Sequence, residues 1–168
     1  VYLMSFIVKL LNVFDLYNER KIFHKLNQLL GKDIKQVIDV GAHRGEFIIK
    51  LCKLFEVKNA LSFEPNPEAF KILNDKTFYL QNRRILKIFN LGLGEKKKTD
   101  ILNVNIESSS SSINLLNNKS KYFVRKYRIL NLLKKKNITK PVEIKVEKLS
   151  DILSELKIDE IDLLKIDT

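Results

Sequence analysis

The segment 37–51, VIDVGAHRGEFIIKL, constrains the fold of this chain more than any other. The run QVIDV predicts a short buried strand, and two glycines four residues apart follow it. Apolar residues then recur at helical spacing: Phe47, Ile48, Leu51 and Phe55. A strand, a tight turn and a helix form the first half of a βαβ unit, which predicts an α/β protein with a mostly parallel sheet.

The rest of the chain continues this alternation. ALSFE (60–64) predicts a second strand, Pro67 marks a predicted helix start, and ILKIFNLGLG predicts a third strand. TDILNVNIE and VEIKVEKL alternate apolar and polar residues, as in antiparallel or edge strands, and Ser150 is a predicted helix cap. The final IDLLKIDT contains a near-continuous apolar stretch, which is typical of a strand inside a parallel sheet.

The opening of the chain is apolar but polar residues interrupt it: Lys9, Asn12 and Asp15. It falls short of the roughly 20 apolar residues that a membrane span requires. We therefore expect no transmembrane segment, an amphipathic helical segment over 1–34 with a helix stop at Gly31, and an α/β domain over 35–168.

The chain is strongly basic, with 31 Lys and Arg against 20 Asp and Glu and a net charge of +11. This charge would suit an anionic partner such as a nucleic acid, a lipid headgroup or an acidic glycan. The lysines are spread along the whole chain, however, which favours ordinary surface charge over a nucleic-acid groove. The serine run (108–112) and the basic segment 119–140 predict a loop and a solvated helix face, with aromatic stacking on a substrate as the alternative.

Cys52 is the single cysteine, which excludes an intrachain disulfide and a cysteine-cluster metal site. This usage fits a reducing cytoplasm, which is the location we expect. The position of Cys52 on an apolar helical face predicts a core residue. The sequence shows no cluster of metal ligands, and we expect no metal site.

The turn after the first strand is where a cofactor would lie, because ligands of open α/β sheets bind beyond the carboxyl ends of the strands. Gly41 and Gly45 are expected to remove side chains where the backbone approaches a cofactor. The dinucleotide pattern G-x-G-x-x-G would also require glycine at positions 43 and 46, where this chain has His43 and Glu46. The pattern therefore disfavours NAD and FAD.

S-adenosylmethionine needs the same tight turn and carries no phosphate. Its sulfonium and amino groups are cationic, so that Asp39 and backbone carbonyls can help to hold the methionine end. Glu64 ends the second predicted strand, 25 residues after Asp39 (64 − 39), and suits a carboxylate that accepts hydrogen bonds from both ribose hydroxyls.

Several ordered motifs resemble the FkbM family of S-adenosylmethionine-dependent methyltransferases: VIDVGAHRGEF, SFEPNPEAFKIL, NLGLGEKKKTDILNV, the serine cluster, VEKLSDIL and IDLLKIDT. The resemblance covers roughly residues 36–168. It implies a Rossmann-like class I methyltransferase fold with flanking helices, and O-methylation of hydroxyls on sugars, glycans or related secondary products. It also implies a cofactor-binding role for these residues: Asp39, Gly41, Ala42, His43, Gly45, Glu64 and Pro65.

Three positions depart from the family pattern. The family usually has Asn where this chain has His43, and Leu-Asp where this chain has Leu149-Ser150. After KID, the family continues into an acidic-glycine turn and further strands, so we expect an enzyme truncated at its C-terminus by about 60–100 residues. Such a chain would have an exposed apolar sheet edge, a tendency to self-associate through it, and little activity alone.

The transfer of a methyl group to a hydroxyl needs alignment of the acceptor oxygen and removal of its proton. Asp167 follows the last predicted strand and is our candidate catalytic residue. It could act as a base, a substrate ligand or a metal ligand. The alternative is a structural role, in which its carboxylate accepts hydrogen bonds from backbone amides. Lys165 fits either a charge at a buried edge or a site residue. Two other functions stay open: methylation of nucleic acid through the basic surface, and a non-catalytic methyltransferase-like protein.

Overall fold

The computed structural model describes residues 20–105, 111–112 and 139–167. The predictions for residues 1–19, for the first part of the serine run and for most of the basic segment lie outside these ranges. Helix α1 covers residues 20–30. The other elements are β1 (Asp33–Val40), α2 (Glu46–Leu54), β2 (Glu56–Phe63), α3 (Pro67–Asn82), β3 (Leu86–Phe89), β4 (Gly92–Leu93), β5 (Lys98–Asn105), β6 (Ser111–Ser112), β7 (Thr139–Glu147), α4 (Leu149–Leu156) and β8 (Leu163–Ile166).

The first sheet has the strand order β3-β2-β1-β8, and all its strands are parallel. The predicted α/β fold with a mostly parallel sheet and flanking helices is therefore confirmed. Asp39 of β1 lies in register with Ser62 of β2 on one side and with Lys165 of β8 on the other. Neighbouring residues in a parallel register point to the same face, so these three polar side chains form a row near the carboxyl edge of the sheet.

Each face of this sheet carries its own apolar cluster. Helices α1, α2 and α3 cover one face, where Phe23, Ile48 and Leu73 join a cluster with strand residues such as Val37. Helix α4 covers the other face, where Ile152 packs with Ile38, Val40, Leu61 and Phe63. The alternation of Val37 and Ile38 between the two clusters follows from the two-residue period of a strand. Two covered faces explain why β1 is buried on both faces from Gln36 to Val40.

The second sheet has the order β4-β7-β5-β6, with β5 antiparallel to β7 and to β6. Its apolar cluster contains Leu102 and Val104 from β5 and Ile144 and Val146 from β7. The predicted alternation in both strands is confirmed. The prediction of one strand over ILKIFNLGLG is wrong, because β3 ends at Phe89 and β4 pairs with β7 in the second sheet.

Two helix starts are decided by local capping. Helix α3 begins at Pro67 as predicted, and the Asn66 side chain caps it by accepting a hydrogen bond from the Glu68 amide at 3.0 Å. The prediction that Ser150 caps α4 is wrong, because the helix begins one residue earlier, at Leu149, and Lys148 is the capping residue. The Ser150 hydroxyl instead contacts the Asp151 carboxylate at 3.2 Å.

Helix α1 ends at Gly31, as predicted, with φ at +69°. Phe23 is buried in the same cluster as β1 and α2, and its ring stacks on that of Phe47 with centroids 5.7 Å apart. Cys52 is half-buried against this cluster, and burial raises the pKa of its thiol to about 11. The thiol is therefore protonated at neutral pH and acts as a small apolar group.

Strand β8 has one neighbour among the described strands, β1. Leu164 and Ile166 on its outer face are 45% and 64% exposed. Among the described residues, β8 therefore presents two exposed apolar side chains, and self-association through an exposed sheet edge stays a prediction. In the described residues, no helix combines the length and the apolar character needed to cross a membrane.

The backbone of Gly41, just after β1, lies against the backbone of Asp167, just after β8. Its φ is +73°, and a Cβ atom on Gly41 would overlap the carbonyl oxygen of Asp167. The Asp167 amide in turn donates a hydrogen bond to the Val40 carbonyl at 3.0 Å. Glycine is therefore required at position 41 by the approach of the chain itself.

This contact predicts different effects of alanine at two glycines that share a positive φ. Gly31 has φ at +69°, and no atom lies within 4 Å of the place that a Cβ would take, so Gly31→Ala should cost about 1 kcal/mol of unfolding free energy from backbone strain. Gly41→Ala adds the clash with Asp167 and should cost about 3 kcal/mol. Urea unfolding followed by circular dichroism measures both, and equal losses would contradict the β1–β8 contact.

Candidate functional site

The carboxyl ends of β1, β2, β3 and β8 lie side by side, and the segments after them form the candidate site. The loop 41–45 follows β1, residues 64–66 follow β2, Asn90 follows β3 and Asp167 follows β8. The structure therefore brings the predicted cofactor residues and the predicted catalytic residue to one edge of the sheet. This is the edge where open α/β sheets bind ligands.

The loop after β1 turns tightly because three of its residues have positive φ: Gly41, His43 and Gly45 at 73°, 50° and 82°. The amides of Gly41 and Ala42 both donate to the Phe63 carbonyl at 3.0 Å, and Ala42 is buried. Histidine and asparagine both tolerate positive φ better than most residues, so the backbone accommodates His43 where the related family usually has Asn.

The two glycines are crowded by protein atoms. A Cβ on Gly41 would meet the Asp167 carbonyl, and a Cβ on Gly45 would lie 2.8 Å from the Leu73 side chain of α3. The expectation that these glycines keep a path clear for a cofactor stays a prediction, and packing within the chain gives each position a further reason for glycine. The same contacts fix the loop against β8 and α3.

Glu64 ties the loop after β1 to the loop after β2. Its Oε2 atom accepts a hydrogen bond from the His43 amide at 2.7 Å, and Oε1 accepts one from the Asn66 amide at 2.8 Å. Burial raises the pKa of this carboxyl, and the two amides oppose that effect. These bonds show that the carboxylate holds the two loops together.

Asp39 is fully buried, and Lys165 is its charged partner. The Lys165 ammonium lies 3.0 Å from Oδ1 of Asp39 and donates to the Gly41 carbonyl at 3.1 Å. Burial raises the pKa of the Asp39 carboxyl, and Lys165 opposes the rise. Within the described residues, Oδ2 of Asp39 and the hydroxyl of the neighbouring Ser62 have no hydrogen-bond partner. Buried acceptors without partners are unusual, and they indicate a place for a further donor.

Asp167, the predicted catalytic residue, stands at the rim of the site. Its side chain is 79% exposed, and its carboxylate lies 3.6 Å from the Lys165 ammonium. His43 faces Glu46, with 3.6 Å between Nδ1 and Oε2, and Lys76 lies 3.5 Å from the other oxygen of Glu46. The exposed Asp167 carboxylate is accessible to an acceptor molecule, whereas the Asp39 carboxylate is not.

Pro65 and Asn90 complete the edge next to Glu64. The Asn90 side-chain amide donates to the Glu64 carbonyl at 2.8 Å and to the Pro65 carbonyl at 3.2 Å. Sequence reasoning did not select Asn90 or Ser62, and it left Lys165 open. The end of β3 would have indicated Asn90, whereas the roles of Ser62 and Lys165 depend on strand order and register.

A groove of about 630 Å³ lies at the opposite edge, beside the amino ends of β1, β2 and β3. Its lining includes charged residues of both signs, among them Lys35, Arg84, Lys157 and Asp159. The predicted site residues do not line this groove. We place the site at the carboxyl edge because the positive-φ loop and the buried acceptors without partners are there.

Comparisons with known proteins identify the family. Residues 39–168 match the family described as the methyltransferase FkbM domain. No curated protein matches the chain significantly. Among solved structures, the chain is similar to the methyltransferase FkbM from Methylobacillus flagellatus KT, with 15% identity and a TM-score of 0.47 over 82% of this chain and 26% of that one. The chain thus spans about a quarter of that protein's length. The family match covers most of the chain, which therefore belongs to the methyltransferase FkbM domain family.

Proposed function

We propose that this chain is the cofactor-binding part of an S-adenosylmethionine-dependent O-methyltransferase that acts on a hydroxyl of a sugar, a glycan or a related secondary product. The observation that carries the proposal is the fully buried Asp39 carboxylate beside the positive-φ loop, with one oxygen that lacks a partner among the described residues. Membership of a methyltransferase family supports the same conclusion. A cytoplasmic location is part of this proposal.

The residues at the carboxyl edge fit S-adenosylmethionine, which supplies an activated methyl group on a cationic sulfur. Asp39 and the Gly41 carbonyl present negative charge and an acceptor to the cationic methionine end. Glu64 is positioned beyond β2, where its remaining lone pairs can accept hydrogen bonds from the ribose hydroxyls. His43 and Glu46 occupy the positions where a dinucleotide site needs glycine.

Asp167 is the group that we assign to the acceptor hydroxyl. It is exposed at the same edge, and its carboxylate lies 3.6 Å from the Lys165 ammonium. In this position Asp167 can accept the proton of the acceptor hydroxyl as the oxygen forms its bond to the methyl carbon. The Asp167 amide donates to the Val40 carbonyl and the Asp167 carbonyl lies against Gly41, so the Asp167 backbone is held beside the loop 41–45.

Calorimetry tests the role assigned to Glu64. The chain should bind S-adenosylhomocysteine more tightly than NAD. Glu64→Ala should weaken that binding by about 2–3 kcal/mol, the size expected for hydrogen bonds to a charged group, and Glu64→Gln should weaken it less. Because Glu64 also joins two loops, the unfolding free energy of each variant must be measured, and binding compared where the variant is folded.

Glu68→Ala is the matched control, since Glu68 is an exposed glutamate in the first turn of α3. It should leave the affinity for S-adenosylhomocysteine unchanged. A folded Glu64→Ala variant with wild-type affinity would remove Glu64 from the site. Tighter binding of NAD than of S-adenosylhomocysteine would overturn the proposed cofactor.

Methyl transfer tests the acceptor class. Protein that contains this chain is incubated with S-adenosylmethionine carrying a radiolabelled methyl group and with panels of sugars, glycans and RNA. We expect the radiolabel in the sugar or glycan fraction, in a form that resists base treatment, as a methyl ether does. The Asp167→Asn variant should not transfer this label. Label found in RNA alone would support nucleic-acid methylation instead.

A further inference from the structure

The Lys165 ammonium lies in a cradle built by three elements. Besides Asp39 and the Gly41 carbonyl, it contacts the Asp167 carboxylate, and it lies 5.6 Å from the centre of the Phe47 ring of α2. Carboxylates, a carbonyl and an aromatic face are the groups that attract a cation. The cradle is therefore a cation site, and in this structure the chain's own lysine supplies the cation.

The charge of Asp39 requires such a cation. Asp39 is 0% exposed, and a buried carboxylate without a countercharge is strongly destabilising. The carboxylates of Asp167 and Glu46 add to the negative potential at Asp39 and raise its pKa further. Yet Oδ2 of Asp39 and the Ser62 hydroxyl, both fully buried, have no hydrogen-bond partner within the described residues. Lys165 thus neutralises the cradle without using all of its acceptors.

We propose that Lys165 is a positioning residue whose ammonium occupies, in the absence of cofactor, the position of the cofactor's cationic methionine end. When the cofactor binds, the Lys165 ammonium moves from this position to Asp167. This inference rests on the proposed function, because that function assigns the methionine end to Asp39 and the Gly41 carbonyl. The two groups nearest the Lys165 ammonium, at 3.0 and 3.1 Å, are the same two groups.

The exchange follows from electrostatics and reach. Two cations that share one buried carboxylate repel each other, so the incoming ammonium and that of Lys165 compete for Asp39. Asp167 lies two residues further along the chain, just after β8, and its exposed carboxylate is already 3.6 Å from the Lys165 ammonium. Rotation of the Lys165 side chain is enough to move its ammonium from Asp39 to Asp167. Cofactor binding would then bring the Lys165 charge closer to the candidate catalytic carboxylate, Asp167.

Two probes separate the methionine end from the rest of the cofactor. S-adenosylhomocysteine keeps the amino acid end, whereas 5′-methylthioadenosine keeps the nucleoside and the sulfur but lacks that end. In Lys165→Gln the competing cation is gone, and we expect S-adenosylhomocysteine to bind about tenfold more tightly than in wild type. The affinity for 5′-methylthioadenosine should not change. Lys165→Arg keeps the cation and should restore wild-type affinity for both probes.

Lys87→Gln is the matched control. Lys87 lies on the parallel strand β3 with its ammonium 5.2 Å from the centre of the Phe89 ring, so the substitution removes the same charge from a similar ring contact away from the site. It should leave both affinities unchanged. An unchanged or weaker affinity for S-adenosylhomocysteine in Lys165→Gln, or an equal change for both probes, overturns the exchange.

Failure of the proposed function and failure of the lysine exchange give different binding results. If wild type binds neither probe, the proposed function fails and the exchange fails with it. If wild type binds both and Lys165→Gln changes neither, the exchange alone fails. Calorimetry on the same protein preparations gives all of these affinities.

A measurement on wild type keeps the test valid if Lys165→Gln does not fold. In a sample labelled with ¹³C at lysine Cε, the Lys165 signal is the one absent from the spectrum of Lys165→Arg. This signal should shift on addition of S-adenosylhomocysteine and stay in place on addition of 5′-methylthioadenosine. A Lys165 signal that S-adenosylhomocysteine does not move at saturation overturns the exchange.

Discussion

The structure around the candidate site depends on one buried charge, the Asp39 carboxylate in the middle of a parallel sheet. A buried carboxylate needs a close countercharge or hydrogen-bond donors, and for Asp39 strand β8 supplies a countercharge through Lys165, at 3.0 Å. That ion pair requires β8 to lie beside β1 in the observed register. The same register brings the Asp167 carbonyl against Gly41, which accounts for the glycine there. Strand order, loop conformation and charge are thus linked through Asp39.

Glu64 has the corresponding role between the loops. Its two oxygens accept amide hydrogen bonds from His43 and Asn66, which start the segments leading into α2 and α3. Asn90 then joins the end of β3 to the same place through the Glu64 and Pro65 carbonyls. Loops held at both ends by a buried carboxylate are prearranged for a ligand, and prearrangement lowers the conformational cost of binding. The residues that we assign to the cofactor therefore also stabilise the apoprotein.

Local patterns in the sequence predicted much of this fold. The β-branched run before a glycine turn predicted β1, Pro67 predicted the start of α3, and alternation predicted β5 and β7 with their inward residues. The same patterns brought Asp39, Glu64 and Asp167 together, because the carboxyl ends of parallel strands meet at one edge. Each of these inferences needs information from a few neighbouring residues alone.

Other features could not be predicted because they depend on contacts distant in sequence. The partner of Asp39 lies 126 residues away (165 − 39), and only the order of the strands shows that Lys165 is its neighbour. The division of ILKIFNLGLG between two sheets follows from the pairing of β4 with β7. The Ser150 error has a local cause, since the Lys148 backbone starts α4 without a side-chain cap.

The central claim is that the carboxyl edge of the first sheet holds the cofactor. The most direct measurement is a map of amide chemical-shift changes in the wild-type chain during titration with S-adenosylhomocysteine. The account predicts the largest changes in the loop 41–45, at residues 64–66 and at Asn90 and Asp167. Changes confined to the groove at the opposite edge, at residues such as Lys35, Arg84 and Lys157, would contradict it.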